Sequence, residues 1–214
     1  KEYGFDMSQN NDSNWFKIVE GDNRIRVLTP LIVFAQHFNK SGYTGSCLGK
    51  ELKCPGCVED DRRIAQNNSL PKGSKDKLQI TRNIKWLGWV LDYKDNEVKL
   101  AKLPHKVAQQ LQTLQNDPEY AFTEAPMPYD VTINAKDAGK TIVAYLVKAG
   151  RQNTPVSEEV LRKLEKKHSP VDIKDRMKAK KAKELGLMPA DAPEKEIEYP
   201  DAEEEGIDPS QIPF

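Results

Sequence analysis

The sequence predicts a mainly β, α+β fold: a small barrel with an inserted subdomain, followed by helices and a disordered acidic tail. Three observations predict it. Short apolar or alternating runs recur between turn signals from residue 24 to 147, with one clear helical period among them. All the cysteines fall between Cys47 and Cys57, inside a stretch with little periodicity. Beyond Arg151 the strand signals stop and a basic helical segment leads into an acidic end.

Arg24 to Leu28 and Leu31 to Phe38 read as two strands split by Thr29-Pro30, because proline lacks the ladder donor. From Asn39 to Lys77 the chain is rich in Gly, Lys, Ser, Cys and Asp, and an irregular stretch of that length needs an internal staple. Asn83 to Tyr93 is a strand, Asp95-Asn96 a turn and Glu97 to Leu103 its partner. After Pro104, the positions Val107, Ala108, Leu111 and Leu114 fall at helical spacing, and Asp117-Pro118 closes the helix. Tyr129 to Asn134 and Thr141 to Val147 alternate about a turn at Lys136 to Gly139. Ser157 is an N-cap, with Glu158 and Glu159 suited to the positive end of the dipole and Val160, Leu161 and Leu164 as the apolar stripe. Pro170 breaks that helix, and Asp172 to Leu185 is a second one, strongly basic, stopped by Gly186. The expected organisation is a flexible segment at 1–14, a core at 15–150 with the subdomain at about 37–77, a basic helical segment at 151–188 and an acidic tail at 189–214.

With 214 residues, 37% hydrophobic, 31% charged and a mean hydropathy of −0.73, the chain suits one domain plus segments that do not fold. Apolar runs such as Leu31 to Ala35 fall far short of the ~20 residues that span a bilayer, which excludes membrane and secretory readings and points to the cytoplasm. An odd number of cysteines favours a reducing compartment or a metal over a disulfide scaffold. The zero net charge conceals an asymmetry: residues 190–214 hold nine acids against Lys195, so that segment carries −8 and the rest +8. A block of like charge is ordinarily a solvated tail, but beside a basic body it also suits a screen over a groove meant for a polyanion.

His37, Cys47, Cys54 and Cys57 form the pattern His-x9-Cys-x6-Cys-Pro-Gly-Cys. Pro55-Gly56 is expected to be a tight turn, with glycine taking the positive φ, so that both flanking thiolates face one ion. Three sulfurs and one imidazole nitrogen fill the four tetrahedral positions of a structural zinc and leave none for substrate. His105 is the alternative fourth ligand. A redox dithiol is the competing reading of Cys54-x-x-Cys57, disfavoured by its loop setting and the third cysteine.

Arg82, Lys85, Trp86, Trp89 and Tyr93 lie close together on one strand, with Lys99 and Lys102 on its partner. Single-stranded nucleic acid is bound by a basic groove for the phosphates and aromatic faces for the bases. Trp86 and Trp89 are separated by an odd number, so they point to opposite faces, and alternation does not decide which is core. Tyr43, Arg24 and Arg26 are further candidates. Leu161 to Lys183 holds ten bases against three acids, either a longer phosphate track or a solvated helix.

The order Asn23-Arg-Ile-Arg-Val-Leu-Thr-Pro30, His37-Phe38, Cys47, Cys54-Pro-Gly-Cys57 and Trp86 resembles the zinc-containing single-stranded DNA-binding protein of T-even-like bacteriophages, over roughly residues 20–150. The resemblance implies an OB-fold core with a zinc subdomain that binds single-stranded DNA in replication, recombination and repair. By position it points first to Arg26, Arg82, Lys85 and Trp86. The chain has Lys85 where the family has a tyrosine, and Gly150 to Thr154 lacks the aromatics found there, which shifts weight from stacking to charge. The ending Ile212-Pro213-Phe214 after an acidic tail is similar to the tip of bacterial single-stranded DNA-binding proteins. That similarity implies docking of replication and repair proteins through a terminal carboxylate and Phe. No Ser/His/Asp arrangement, phosphate loop or open metal site points to an enzyme or a small-molecule substrate. The rival reading is a zinc-ribbon factor that binds duplex DNA through the 157–185 helices.

Overall fold

A computed structural model describes residues 15–40, 42–140, 142–153 and 155–187. The expected flexible N-terminus and the acidic tail with its tip Ile212, Pro213 and Phe214 lie outside the described residues. The elements are β1 (Trp15–Phe16), β2 (Gly21–Val27), β3 (Ile32–His37), β4 (Gly45–Ser46), α1 (Pro55–Asn68), β5 (Arg82–Asp92), β6 (Glu97–Pro104), α2 (His105–Gln115), β7 (Tyr129–Lys136), β8 (Ala144–Asn153), α3 (Glu158–Glu165) and α4 (Pro170–Glu184). The fold is mixed α+β and dominated by one eight-stranded sheet.

β5 is the spine of that sheet. β6 pairs with it along one edge; on the other, β3 takes Arg82 to Leu87 and β2 takes Val90 to Asp92. The hand-over falls at Gly88, opposite the Thr29-Pro30 break. A Cβ at Gly88 would stand 2.6 Å from Leu31 Cδ2 and 3.3 Å from Thr29 Oγ1, so glycine lets the interrupted neighbour cross closely without displacing the Leu31 side chain.

The expected barrel is not closed by the described pairing. The path runs β1-β6-β5-β2-β7-β8, and among the described residues no strand joins its ends. The outer edge of β8 is met by α2 instead. Gln110 Nε2 donates to Tyr145 O at 3.0 Å, and Val147 N donates to Gln110 Oε1 at 2.9 Å. One side-chain amide thereby satisfies edge groups that a closing strand would have taken.

The sheet buries apolar side chains on both faces. One face gathers Ile25, Val90, Leu103, Val131 and Ile133 beneath α2, whose Val107, Ala108 and Leu111 are buried. The other gathers Phe34, Leu87, Leu91 and Leu100 beneath α3 and α4, which contribute Val160 and Ile173. The basic helical segment is therefore docked on the sheet. Ser157 and Ser169 cap the two helices by accepting from Val160 N and Asp172 N. Pro170 is the first residue of α4, a position where its missing N–H is no loss, rather than only a breaker of α3.

The largest departure from expectation is α1, a 14-residue helix where the sequence suggests irregular chain. It buries only Gly56 and Asp60, while Val58 and Ile64 are exposed. A helix without an apolar stripe leaves no period to read.

Candidate functional site

His37 ends β3, Cys47 follows β4, Cys54 is the N-cap of α1 and Cys57 lies in its first turn. Cys47 N donates to Ala35 O at 2.9 Å, which folds this thiol back beside the end of β3. The four ligand atoms all lie within 4.8 Å of one another. Cys57 Sγ is 3.4 Å from Cys47 Sγ and 3.5 Å from His37 Nε2. These groups could hold one metal ion. His105 is elsewhere, stacked on Trp86, so His37 is the histidine that the fold delivers.

Burial works against the Cys54 thiolate, but the backbone N–H groups of Leu48, Cys57 and Gly56 outweigh it and bring the pKa below its ordinary value. Cys57 is pushed up to about 12 by burial, by its hydrogen bond with Cys47 and by the negative charge of the neighbouring sulfurs. A cation among the sulfurs reverses that repulsion. Gly56 is required for a reason other than the expected turn. It is helical, without a positive φ, and a Cβ there would stand 2.3 Å from His37 Cγ, so the imidazole lies directly against its backbone.

The hydrogen bonds also fix the tautomer of His37. Thr81 Oγ1 donates its one proton to Asp60 Oδ1 at 2.9 Å, so at 3.0 Å from His37 Nδ1 it accepts. Nδ1 therefore carries the hydrogen, and the lone pair of Nε2 faces the thiols. Asp60 Oδ2, 3.3 Å from Nδ1, backs the same ring nitrogen. The pKa of His37 is lowered, by burial first and then by the Arg82 charge against the pull of Asp60, which favours the neutral, ligating form. Sequence reasoning missed Asp60 and Thr81. The signal for Asp60 was present in the spacing of Cys54, Cys57 and Asp60, three residues apart on one helical face.

The sheet separates the nucleic-acid candidates. Arg82, Ile84 and Trp86 alternate onto one face of β5, opposite His37, Ala35 and Val33 of β3. Arg82 is exposed beside the thiol cluster, and Trp86 is half-buried. Trp86 Nε1 donates to His105 Nδ1 at 3.2 Å, with the two rings 10° from parallel and 6.4 Å apart. Beside them opens a cavity of about 250 Å³ lined by Leu31, Trp86, Leu111, Phe122 and Met127.

Lys85 and Lys102 lie on the opposite face, and burial lowers the pKa of both. Lys102 Nζ stands 4.2 Å from the Trp15 ring centroid and 5.0 Å from that of Phe34. Trp89 is also on that face and is core: it is 2% exposed, and its Nε1 donates to His168 O at 2.8 Å, so it offers no surface for a base. Arg26, at 1% exposed, donates through Nε to Asp130 Oδ1 at 2.7 Å and does not reach a ligand from that position. The exposed Arg24 donates to Asp130 Oδ2 and lies 4.5 Å over the Tyr93 ring. Lys99 is bound between Asp92 and Asp95. Tyr43 packs edge-on against His37 at 5.8 Å and donates its hydroxyl to Ser46 O, which places it with the thiol cluster.

No protein-family model matches this chain, and no curated protein does. The functional reading therefore rests on the residues themselves. Among the described residues, no helix is long and apolar enough to cross a membrane.

Proposed function

We propose that the protein is a non-enzymatic, sequence-independent single-stranded DNA-binding protein whose four-ligand centre holds one structural zinc. The observation that carries the reading is the Arg82-Ile84-Trp86 face. There a cation, an accessible indole stacked on His105 and an adjoining apolar cavity line up along one strand. Phosphates would follow the cation while a base stacks at the indole, worth about 1–3 kcal/mol per base. The +8 body supplies a salt-dependent attraction that reads no sequence.

Zinc suits the centre because three thiolates and a neutral imidazole complete its tetrahedral shell. Metal–sulfur bonds of ~2.3 Å set sulfurs about 3.7 Å apart in that geometry, close to the 3.4 Å between Cys47 and Cys57. When bound, it would cross-link β3, the β4 turn and α1. The role fits coating of single strands during replication, recombination and repair. In this reading the acidic tail competes with DNA, and Ile212-Pro213-Phe214 recruits partner proteins.

One observation favours the duplex-binding alternative: Lys174, Lys178 and Lys180 of the docked α4 have no acidic partner among the described residues. A salt titration against oligo-dT and an equal-length duplex, followed by tryptophan fluorescence, separates the two. The proposed function predicts tight, salt-sensitive, quenching binding to the single strand. Trp86→Ala should weaken it by about 1–3 kcal/mol and abolish most of the quenching. Equal binding to both ligands without quenching overturns the reading in favour of the duplex.

A further inference from the structure

We propose that Asp60 joins the metal centre and the nucleic-acid strand into one thermodynamic unit, so that metal and single-stranded DNA each tighten the binding of the other. This rests on the single-stranded DNA reading above.

Asp60 is 4% exposed and is the only charged side chain that α1 buries. A buried carboxylate is tolerated when its oxygens are fully engaged. Here Oδ1 accepts from Thr81 N at 2.7 Å and Thr81 Oγ1 at 2.9 Å, and Oδ2 accepts from Arg82 N at 3.0 Å and lies 3.3 Å from His37 Nδ1. One carboxylate therefore grips a metal-ligand histidine and the backbone that opens β5. Phe38 N donates to Thr81 O at 3.0 Å and closes the loop between these two ends.

The remaining links from α1 to this part of the chain stop short of the strand. Arg63 donates to Gln79 O at 2.7 Å, and Asn67 exchanges hydrogen bonds with Leu78. They fasten the helix, whereas Asp60 alone touches both His37 and Arg82. A metal held at Nε2 of His37 would fix the imidazole whose Nδ1 faces Asp60, the same carboxylate that accepts from Arg82 N at the start of the face carrying Arg82 and Trp86. Loss of the metal would remove the restraint on Nε2 that steadies the Nδ1–Asp60 contact, and so loosen one of the holds on the carboxylate beside Arg82.

A change in affinity for one ligand must then be mirrored in the other, because linkage is reciprocal. The test uses the full chain as wild type, Asp60→Asn, Thr81→Val and Asn67→Ala. Zinc affinity is measured by chelator competition with and without oligo-dT, and oligo-dT affinity with and without zinc. In the wild type, zinc should tighten oligo-dT binding and oligo-dT should tighten zinc binding by the same factor. Asp60→Asn should lower zinc affinity about 10–100-fold, as loss of a group behind a ligating histidine does, and bring the linkage factor to one. Thr81→Val should reduce the factor in the same direction while keeping the backbone bond to Asp60. Asn67→Ala, which loosens α1 without touching His37, should leave it unchanged.

Wild-type zinc affinity in Asp60→Asn overturns the proposal. So does oligo-dT binding that ignores zinc, although single-stranded DNA binding then stands. Absence of oligo-dT binding by the wild type overturns both.

Discussion

Helices α1 and α2 are of comparable length, 14 and 11 residues, and both pack against β5, yet they are held by opposite means. α2 buries Val107, Ala108 and Leu111 in the sheet core. α1 buries a glycine and a carboxylate, and its N-cap and first turn carry two thiols of the cluster, Cys54 and Cys57. The difference shows what substitutes for an apolar face: α1 is fastened by candidate ligand atoms, a buried carboxylate that accepts three hydrogen bonds and two polar side chains that reach back to the chain before β5. The first kind of attachment is sensitive to cavities, the second to chelation.

The largest expected effect breaks the molecule along that line. Stripping the metal should release β4 and α1 while the rest of the sheet and α2 stay folded, because structural zinc contributes about 10–16 kcal/mol in small domains and the apolar contacts of α1 cannot replace it. Hydrogen exchange would read it: amides of 45–68 should lose protection, and those of α2 and the second half of β5 should keep it. Uniform loss across the chain would mean that the two regions are not held independently. The converse variant is Leu111→Ala, a fully packed α2 side chain at 4% exposure. It should cost about 2–5 kcal/mol of global stability by denaturant titration and leave the zinc stoichiometry at one.

The same comparison explains what could be read in advance. The β5–β6 hairpin, the β7–β8 hairpin and α2 announce themselves because their apolar side chains form a continuous run between turn signals, alternate, or recur every three to four residues. The three clustered cysteines were legible from spacing, whereas spacing left His37 and His105 as alternatives that only the fold separates. α1 was not legible, since a helix anchored by Gly56 and Asp60 has no apolar period, and its N-cap is a thiol rather than a hydroxyl or carboxylate. The open edge at β8 was equally illegible, because whether a strand or a glutamine meets it is settled by long-range packing. Among the nucleic-acid candidates, alternation placed Trp86 and Trp89 on opposite faces. Which one is core depends on α3 and α4 covering one side, a fact beyond any local pattern.

Gly56 sharpens the comparison inside α1. Gly56→Ala would raise helix propensity, which in a helix held by its own period is stabilising. Here the new Cβ would collide with the His37 ring, whose near atoms stand 2.3–2.7 Å from that position. The expected outcome is a loss of about 1–3 kcal/mol, the usual scale of overpacking, expressed as weaker cobalt(II) binding with a perturbed thiolate charge-transfer spectrum. Unchanged cobalt affinity would show that His37 can move away freely.

The smallest effect concerns another buried carboxylate, Asp130, which meets Tyr93 just past the opposite end of β5 from Asp60. Burial works against its ionisation, but the Tyr93 hydroxyl and the Arg24 and Arg26 guanidinium groups more than compensate and hold its pKa below the ordinary carboxylate range. A depressed folded pKa means that the stabilisation is complete above the unfolded value of about 4 and is lost as pH falls from there through the folded pKa. Asp130→Asn should therefore be less stable than wild type at neutral pH and should show a flatter decline below about pH 4, where the wild type loses this contribution. Much of the effect should come through Arg26, because Arg24, with its side chain 61% exposed, is screened by solvent. Denaturant titrations of both proteins across that range would show it, and parallel acid limbs would assign the acid sensitivity to other groups. Zinc-linked protection of 45–68 should be the same in both, since Asp130 touches β2, β5 and β7 flank residues and nothing in the thiol cluster.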